Sequence, residues 1–203
     1  MNPNTYVSAV QNALTQTDIT ALDNVVEIFK TAFWKHRQIF VFGNGASAAL
    51  ASHMATDAGK LLIVDNGAGG RTRLRIQSLN DNCAWLTAIG NDIGYDDVFT
   101  EQLANYLRPE DVVVGISGSG GSPNVLRALE FAKSRGATLV GFTSARSSAE
   151  KMAGLCDVCL RAPLEMMEQI EDLHVIYHHI IVRGVYDAIT RQEVVKTGAE
   201  APS

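Results

Sequence analysis

Residues 111–123 read DVVVGISGSGGSP, a short apolar run that breaks into three serines and three glycines and closes on a proline. An apolar run of this length bounded by turn residues reads as a strand buried on both faces, the kind a parallel sheet contains. Proline suits the first turn of a helix, where its missing N–H has no partner to lose. The stretch is therefore a strand, a loop and a helix start. Ser117, Ser119 and Ser122 offer hydroxyls, and the glycines leave backbone N–H groups unobstructed, so the loop suits a phosphate dianion at a helix N-terminus.

The same unit recurs upstream. QIFVFG, residues 38–43, is an apolar run that ends in the turn Gly43-Asn44-Gly45-Ala46-Ser47, and an Ala-rich helix follows, closed by Gly59 and Lys60. Further strands are read at RIQSL (75–79), ATLVGFTS (137–144) and CDVCLRA (156–162), with helical stretches at 95–106, 123–135 and 147–154. Residues 61–75 contain LLIV beside Gly67, Gly69 and Gly70 and read as a long loop with room for a short strand. Apolar positions at helical spacing over 5–36 predict two helices, and a last long helix runs over about 167–192.

Apolar strands alternating with amphipathic helices predict an α/β fold, a doubly wound and mostly parallel five-stranded sheet flanked by helices. The 203 residues suffice for one domain. Within it, 1–36 is expected as an N-terminal helical extension and 167–192 as a C-terminal helix. Both lie outside the minimal sheet unit and are free to pack on another subunit.

Composition excludes several classes. A net charge of −5 disfavours general nucleic-acid binding, and the brief cluster Arg71, Arg73, Arg75 reads as a solvated loop or edge strand, or as a clamp on an anionic substrate. Three cysteines do not make a disulfide framework, and no signal peptide opens the chain, which points to the cytoplasm. Cys156 and Cys159 form C-x-x-C inside an alternating, strand-like run with no second pair to complete a zinc knuckle. No apolar run is long enough for a membrane span. Gly43–Ala48 also fits G-x-G-x-x-A, a dinucleotide fingerprint for which Asp81 would be the acid, but a second Ser-rich loop is foreign to that pattern.

Two helices carry ionisable groups. His53 and Asp57 stand four residues apart, on one helical face, where both can reach one metal or substrate. EDLHVIYHH (171–179) crowds Glu171, Asp172, His174, His178 and His179 onto an otherwise apolar helix, and such groups are costly to bury unless they coordinate, pair or catalyse. Helical geometry does not choose among them. Glu171 with His178, and Asp172 with His179, are each seven residues apart, and His174 with His178 is a further pair.

Taken together, GNGASA with SHMATD (43–57), LTAIGNDIGYDDVF (86–99), GISGSGGSPNVLRAL (115–129), GATLVGFTS (136–144) and IEDLHVIYHH (170–179) resemble the sedoheptulose-7-phosphate isomerases, or phosphoheptose isomerases, of the SIS group of sugar-isomerase domains. The resemblance covers most of the chain. It implies that Asn44, Gly45, Asn91, Asp92, Ser117, Gly118, Ser119 and Ser122 contact a sugar phosphate, and Ser47 of the first loop is grouped with them. It further implies a zinc centre at His53, Asp57, Glu171 and His179, and a homotetramer with active sites between subunits. His174 matches a second histidine of the motif that is not a usual ligand.

Four positions depart from the family pattern: Asp57 stands for a usual Glu, Glu171 for a usual Gln, Ala46 for a Gly and Gly118 for a hydroxyl residue. The implied activity is aldose–ketose isomerisation through an enediolate, most simply of sedoheptulose 7-phosphate to D-glycero-D-manno-heptose 7-phosphate. Asp57 or Glu171 would then be the general base, and His179 the acid or a metal-held electrophile. The rival expectation is a non-catalytic SIS protein that binds sugar phosphates or assembles partners, similar to the DnaA initiator-associating protein.

Overall fold

The computed structural model describes residues 2–65 and 70–197, with side chains up to Arg191. In chain order the elements are α1 (Pro3–Thr15), α2 (Ile19–Trp34), β1 (Gln38–Gly43), α3 (Ala46–Leu61), β2 (Ile63–Asp65), β3 (Arg71–Arg73), β4 (Arg75–Ser78), α4 (Cys83–Asp92), α5 (Thr100–Tyr106), β5 (Val112–Ile116), α6 (Pro123–Ser134), β6 (Thr138–Ser144), α7 (Glu150–Leu155), β7 (Val158–Ala162) and α8 (Met167–Thr197). Short 3₁₀ turns at Tyr95–Asp97 and Ser147–Ala149 precede α5 and α7.

Five strands form one sheet in the order β4-β1-β5-β6-β7, and every pairing is parallel. Each residue of β5 is buried, as expected of a strand covered on both faces. Side-chain alternation divides the core in two. Ile39, Val41, Val112, Val114, Ile116, Val140 and Phe142 face one side, where α2, α3 and α8 contribute Phe29, Phe33, Met54, Leu173 and Tyr177. Phe40, Phe42, Val113 and Leu139 face the other, against Phe99, Leu103, Val125 and Leu129. Each such large side chain, taken fully out of water, contributes roughly 1.5–3 kcal/mol.

α2 and α8 pack on one another and cover the first face, because Leu173, Tyr177 and Ile181 recur one turn apart along α8 and need an apolar partner. α8 extends past the expected residue 192, to Thr197.

The stretch expected as one helix over 95–106 is broken. Gly94, at φ 149°, stops α4, and α5 restarts at Thr100. The sequence reading missed α4 itself. Its start is a local device: the Asn82 carboxamide accepts from the Trp85 N–H at 3.1 Å.

In the 61–75 segment, β2 and β3 pair antiparallel, from Ile63 opposite Arg73 to Asp65 opposite Arg71; Gly67 and Gly69 lie outside the described residues. Arg71 and Arg73 are exposed, and Arg75 donates to the His36 carbonyl at 3.2 Å. The last sheet strand is shorter than read, since Cys156 is the residue after α7 and only Cys159 lies in β7. Both thiols are free and sit over Gly141, where a Cβ would come within 2.9 Å of each sulfur. Among the described residues no helix is long and apolar enough to cross a membrane.

Candidate active site

The connection after β1 leads outward to β4, while that after β5 leads the opposite way to β6. The carboxyl ends of β1 and β5 therefore flank the point where strand order reverses, and the crevice of an open α/β sheet opens there. Both loops singled out in the sequence stand at this point.

The first loop is held tightly. Gly45 has φ 58° and ψ −124°, a conformation a side chain would oppose. A Cβ on Gly43 would lie 2.6 Å from the Ser47 Cβ and 2.7 Å from the Ile116 carbonyl oxygen. Asn80 clamps Gly43 from outside, accepting its N–H at 3.2 Å and donating to its carbonyl at 2.9 Å. Asn44 and Asn124 exchange two carboxamide hydrogen bonds of 2.8 and 2.9 Å, and the Tyr95 hydroxyl donates to the Asn44 oxygen at 2.9 Å. These bonds lock the two switch-point loops and the turn after α4 into one unit.

In the second loop the Ser117 hydroxyl lies 3.1 Å from that of Ser122 and 3.4 Å from that of Ser119. Ser122 begins α6 without bonding its side chain to the helix amides, so its hydroxyl remains with the cluster. Gly118 is explained by what lies over it, because a Cβ there would sit 2.5 Å from the Met167 sulfur at the start of α8. Asn91 and Asp92 end α4, exposed and bonded to each other at 2.7 Å. Asp81 accepts from the Ser52 hydroxyl.

From the first loop, α3 runs alongside α8, and a pocket of about 320 Å³ opens between them, lined by Ser47, Leu50, His53, Glu168, Glu171 and His174 among others. Burial and the neighbouring Glu168 and Asp172 raise the pKa of Glu171 above the ordinary carboxylate range. His174 is buried, and its ring lies 2.9 Å from the Thr143 carbonyl oxygen, which makes Nε2–H the donor.

Beside the pocket stands a group of side chains that could hold a metal ion. Donor atoms of His53, Asp57, His178 and His179 all lie within 4.8 Å of one another. The Asp57 Oδ2 is 3.1 Å from His53 Nε2, 3.5 Å from His178 Nε2 and 3.8 Å from His179 Nε2. His178 is fully buried, yet neither ring nitrogen has a hydrogen-bond partner, a deficit worth about 1–3 kcal/mol per group. Burial, helped by His179 and His53, lowers its pKa to about 4 and keeps the imidazole neutral, as a ligand must be. Three imidazoles and a carboxylate suit zinc.

The structure thus brings together His53, Asp57 and His179 of the expected centre, adds His178, and leaves Glu171 in the adjoining pocket. Asn124, Asn80 and Tyr95 escaped the sequence reading. Asn124 alone carried a usable signal, a polar residue directly after the helix-opening proline at the switch point.

His174 predicts an acid sensitivity of the fold. Burial lowers its pKa from 6.5 to about 4, so between those values the unfolded chain binds a proton that the folded one does not. The stabilisation is complete above about pH 6.5 and is lost as pH falls toward 4, by up to about 3 kcal/mol. His174→Gln should narrow its stability gap to the unsubstituted protein when urea midpoints at pH 7 and pH 5 are compared.

A parallel sheet with a hydroxyl-lined loop at its switch point and an ionisable groove nearby is an α/β domain with its ligand crevice at the carboxyl edge, and the SIS domain family model matches residues 4–144. Among curated relatives, the phosphoheptose isomerase of Rhodospirillum rubrum is 38% identical over 152 residues, covering 75% of this chain and 77% of its own. That of Thermodesulfovibrio yellowstonii is 34% identical over 180 residues, covering 89% and 86%. The structure of phosphoheptose isomerase from Neisseria gonorrhoeae superposes with a TM-score of 0.79 at 29% identity, covering 91% and 94%. The chain belongs to the SIS domain family, among the phosphoheptose isomerases.

Proposed function

We propose that the protein is an aldose–ketose isomerase that converts sedoheptulose 7-phosphate to D-glycero-D-manno-heptose 7-phosphate, with zinc as its metal. The observation that carries this reading is that the hydroxyl-lined loop lies beneath the start of α8, whose next turns line a pocket with carboxylates and then carry two of the three histidines clustered with Asp57. The reaction needs these three things: a hold on the phosphate, a base for the carbon-bound proton, and positive charge or donors for the enediolate oxygens.

In this reading Ser117, Ser119 and Ser122, with the start of α6, bind the phosphate, while Asn44, Gly45, Ser47, Asn91 and Asp92 position the sugar. A carboxylate, Asp57 or Glu171, takes the proton from the carbon next to the carbonyl and returns it to the neighbouring carbon. His179, half exposed at the mouth of the cluster, is the acid or, as a holder of the metal, part of the electrophile. The zinc, when bound, supplies Lewis acidity to the carbonyl and hydroxyl oxygens.

Membership among metabolic isomerases, together with three free cysteines, supports a cytoplasmic enzyme. We also propose a homotetramer: Val7, Leu14 and Ile19 on the first two helices and Ile180 on α8 are exposed apolar side chains that a subunit contact would cover.

Metal analysis of the purified protein, followed by incubation with sedoheptulose 7-phosphate and NMR detection of the aldose, tests the proposal. Zinc and turnover are expected. Metal without turnover would point to another sugar phosphate, and neither would point to a binding protein.

A further inference from the structure

We infer that His178 is a metal ligand, completing a set with His53, Asp57 and His179, and that Glu171 stays outside this set as the free carboxylate of the pocket. The inference rests on the proposed function only in that both concern the same metal.

The first support is the state of His178. A side chain with two nitrogens is fully buried with neither satisfied, whereas native interiors almost always pair such atoms. The Asp57 Oδ2 is 3.5 Å from its Nε2, too far for a good hydrogen bond. What surrounds it is a set of further donors. The His53 ring centre lies 4.7 Å away and nearly perpendicular, and that of His179 lies 4.5 Å away. A cation bound among these donors would give His178 the partner it lacks and relieve the crowding of three imidazoles.

The second support is helical position. Consecutive residues on a helix diverge by about 100° and do not face one another. His178 and His179 can therefore meet at one point only if that point lies on the boundary between the buried and open sides of α8. Their burial fits this arrangement, His178 being fully buried and His179 half exposed, while Asp57 lies between them on α3 within 3.5 and 3.8 Å. Glu171 stands seven and eight residues earlier on α8, about 10–12 Å along the axis. It lines the pocket beside Ser47 and Glu168 instead.

Zinc affinity, measured by competition with a chromophoric chelator, tests the assignment, together with the visible spectrum of the cobalt(II)-loaded protein. His178→Leu and His178→Gln should each weaken zinc by at least about 100-fold, since loss even of a group that only orients a ligand costs 10–100-fold, and should change the cobalt bands. The glutamine variant keeps a polar side chain at the site in case leucine disturbs folding, which circular dichroism checks. Glu171→Ala, which leaves no donor atom at that position, should hold zinc within about threefold of the unsubstituted protein and leave the cobalt bands in place.

Unchanged zinc affinity in both His178 variants, or an equal loss in Glu171→Ala, overturns the assignment, as does failure of the unsubstituted protein to take up zinc. Failure of the isomerase reading shows separately, as zinc bound through His178 without turnover of sedoheptulose 7-phosphate.

Discussion

Asp57→Asn is expected to abolish isomerisation, with turnover of sedoheptulose 7-phosphate reduced by about 10³-fold or more while the melting temperature moves by only a few degrees. The side chain is the anionic centre of the cluster, within 3.1–3.8 Å of three imidazole nitrogens. Replacing a carboxylate oxygen by an amide removes the charge without changing the shape. A general base alone contributes about 10²–10⁴-fold, and with the proposed zinc centre the loss of one of its ligands adds to it. Asp57 is 30% exposed, so the fold does not depend on its burial. Full activity in this variant would sink the role of Asp57. Comparison with Glu171→Ala separates the two carboxylates: loss of activity with zinc retained marks the base, and loss of both marks a ligand.

Gly120→Ala should cost the fold about 3 kcal/mol and lower the melting temperature by about 6–12 °C. Two effects combine. Gly120 has φ 65°, where an L side chain is strained, and its Cβ would lie 2.4 Å from the Ala149 Cα and 2.9 Å from the Thr143 hydroxyl. Backbone cannot yield as a flexible side chain can, so either the cradle or the turn before α7 must move. The Gly120 N–H that bonds the Ser117 carbonyl at 3.0 Å moves with it. The KM for the sugar phosphate should therefore rise more than kcat falls in whatever fraction remains folded. A melting temperature within about 2 °C of the unsubstituted protein would show that the loop is not held as described.

Much of the candidate site was legible because its chemistry is local. The serines of 117–122 and the turn 43–47 follow apolar runs directly, and a strand that ends in such a loop places it at the carboxyl edge of the sheet. The family resemblance likewise rested on these contiguous words. By contrast Asn124, Asn80 and Tyr95 act across the fold, joining loops 80, 37 and 51 residues apart in sequence. No spacing rule reports such partners.

The helical cluster at 171–179 shows the boundary most clearly. Sequence alone established that too many ionisable groups occupied an apolar helix, and it left the pairing among Glu171, Asp172, His174, His178 and His179 open, because every residue on a helix has neighbours at several spacings. The choice depends on which face of α8 meets α3 and which meets β6, and packing of Leu173, Tyr177 and Ile181 against α2 and the sheet sets that rotation. Once set, His174 is turned to the Thr143 carbonyl, His178 to Asp57, and Glu171 to the open pocket. The order of strands and helices, and with it the α/β class and the place of the Ser/Gly loop, follows from periodicity and turn chemistry along the chain. The membership of the His/carboxylate centre was decided only by the rotation of one long helix, a property of the packed core and not of any segment within it.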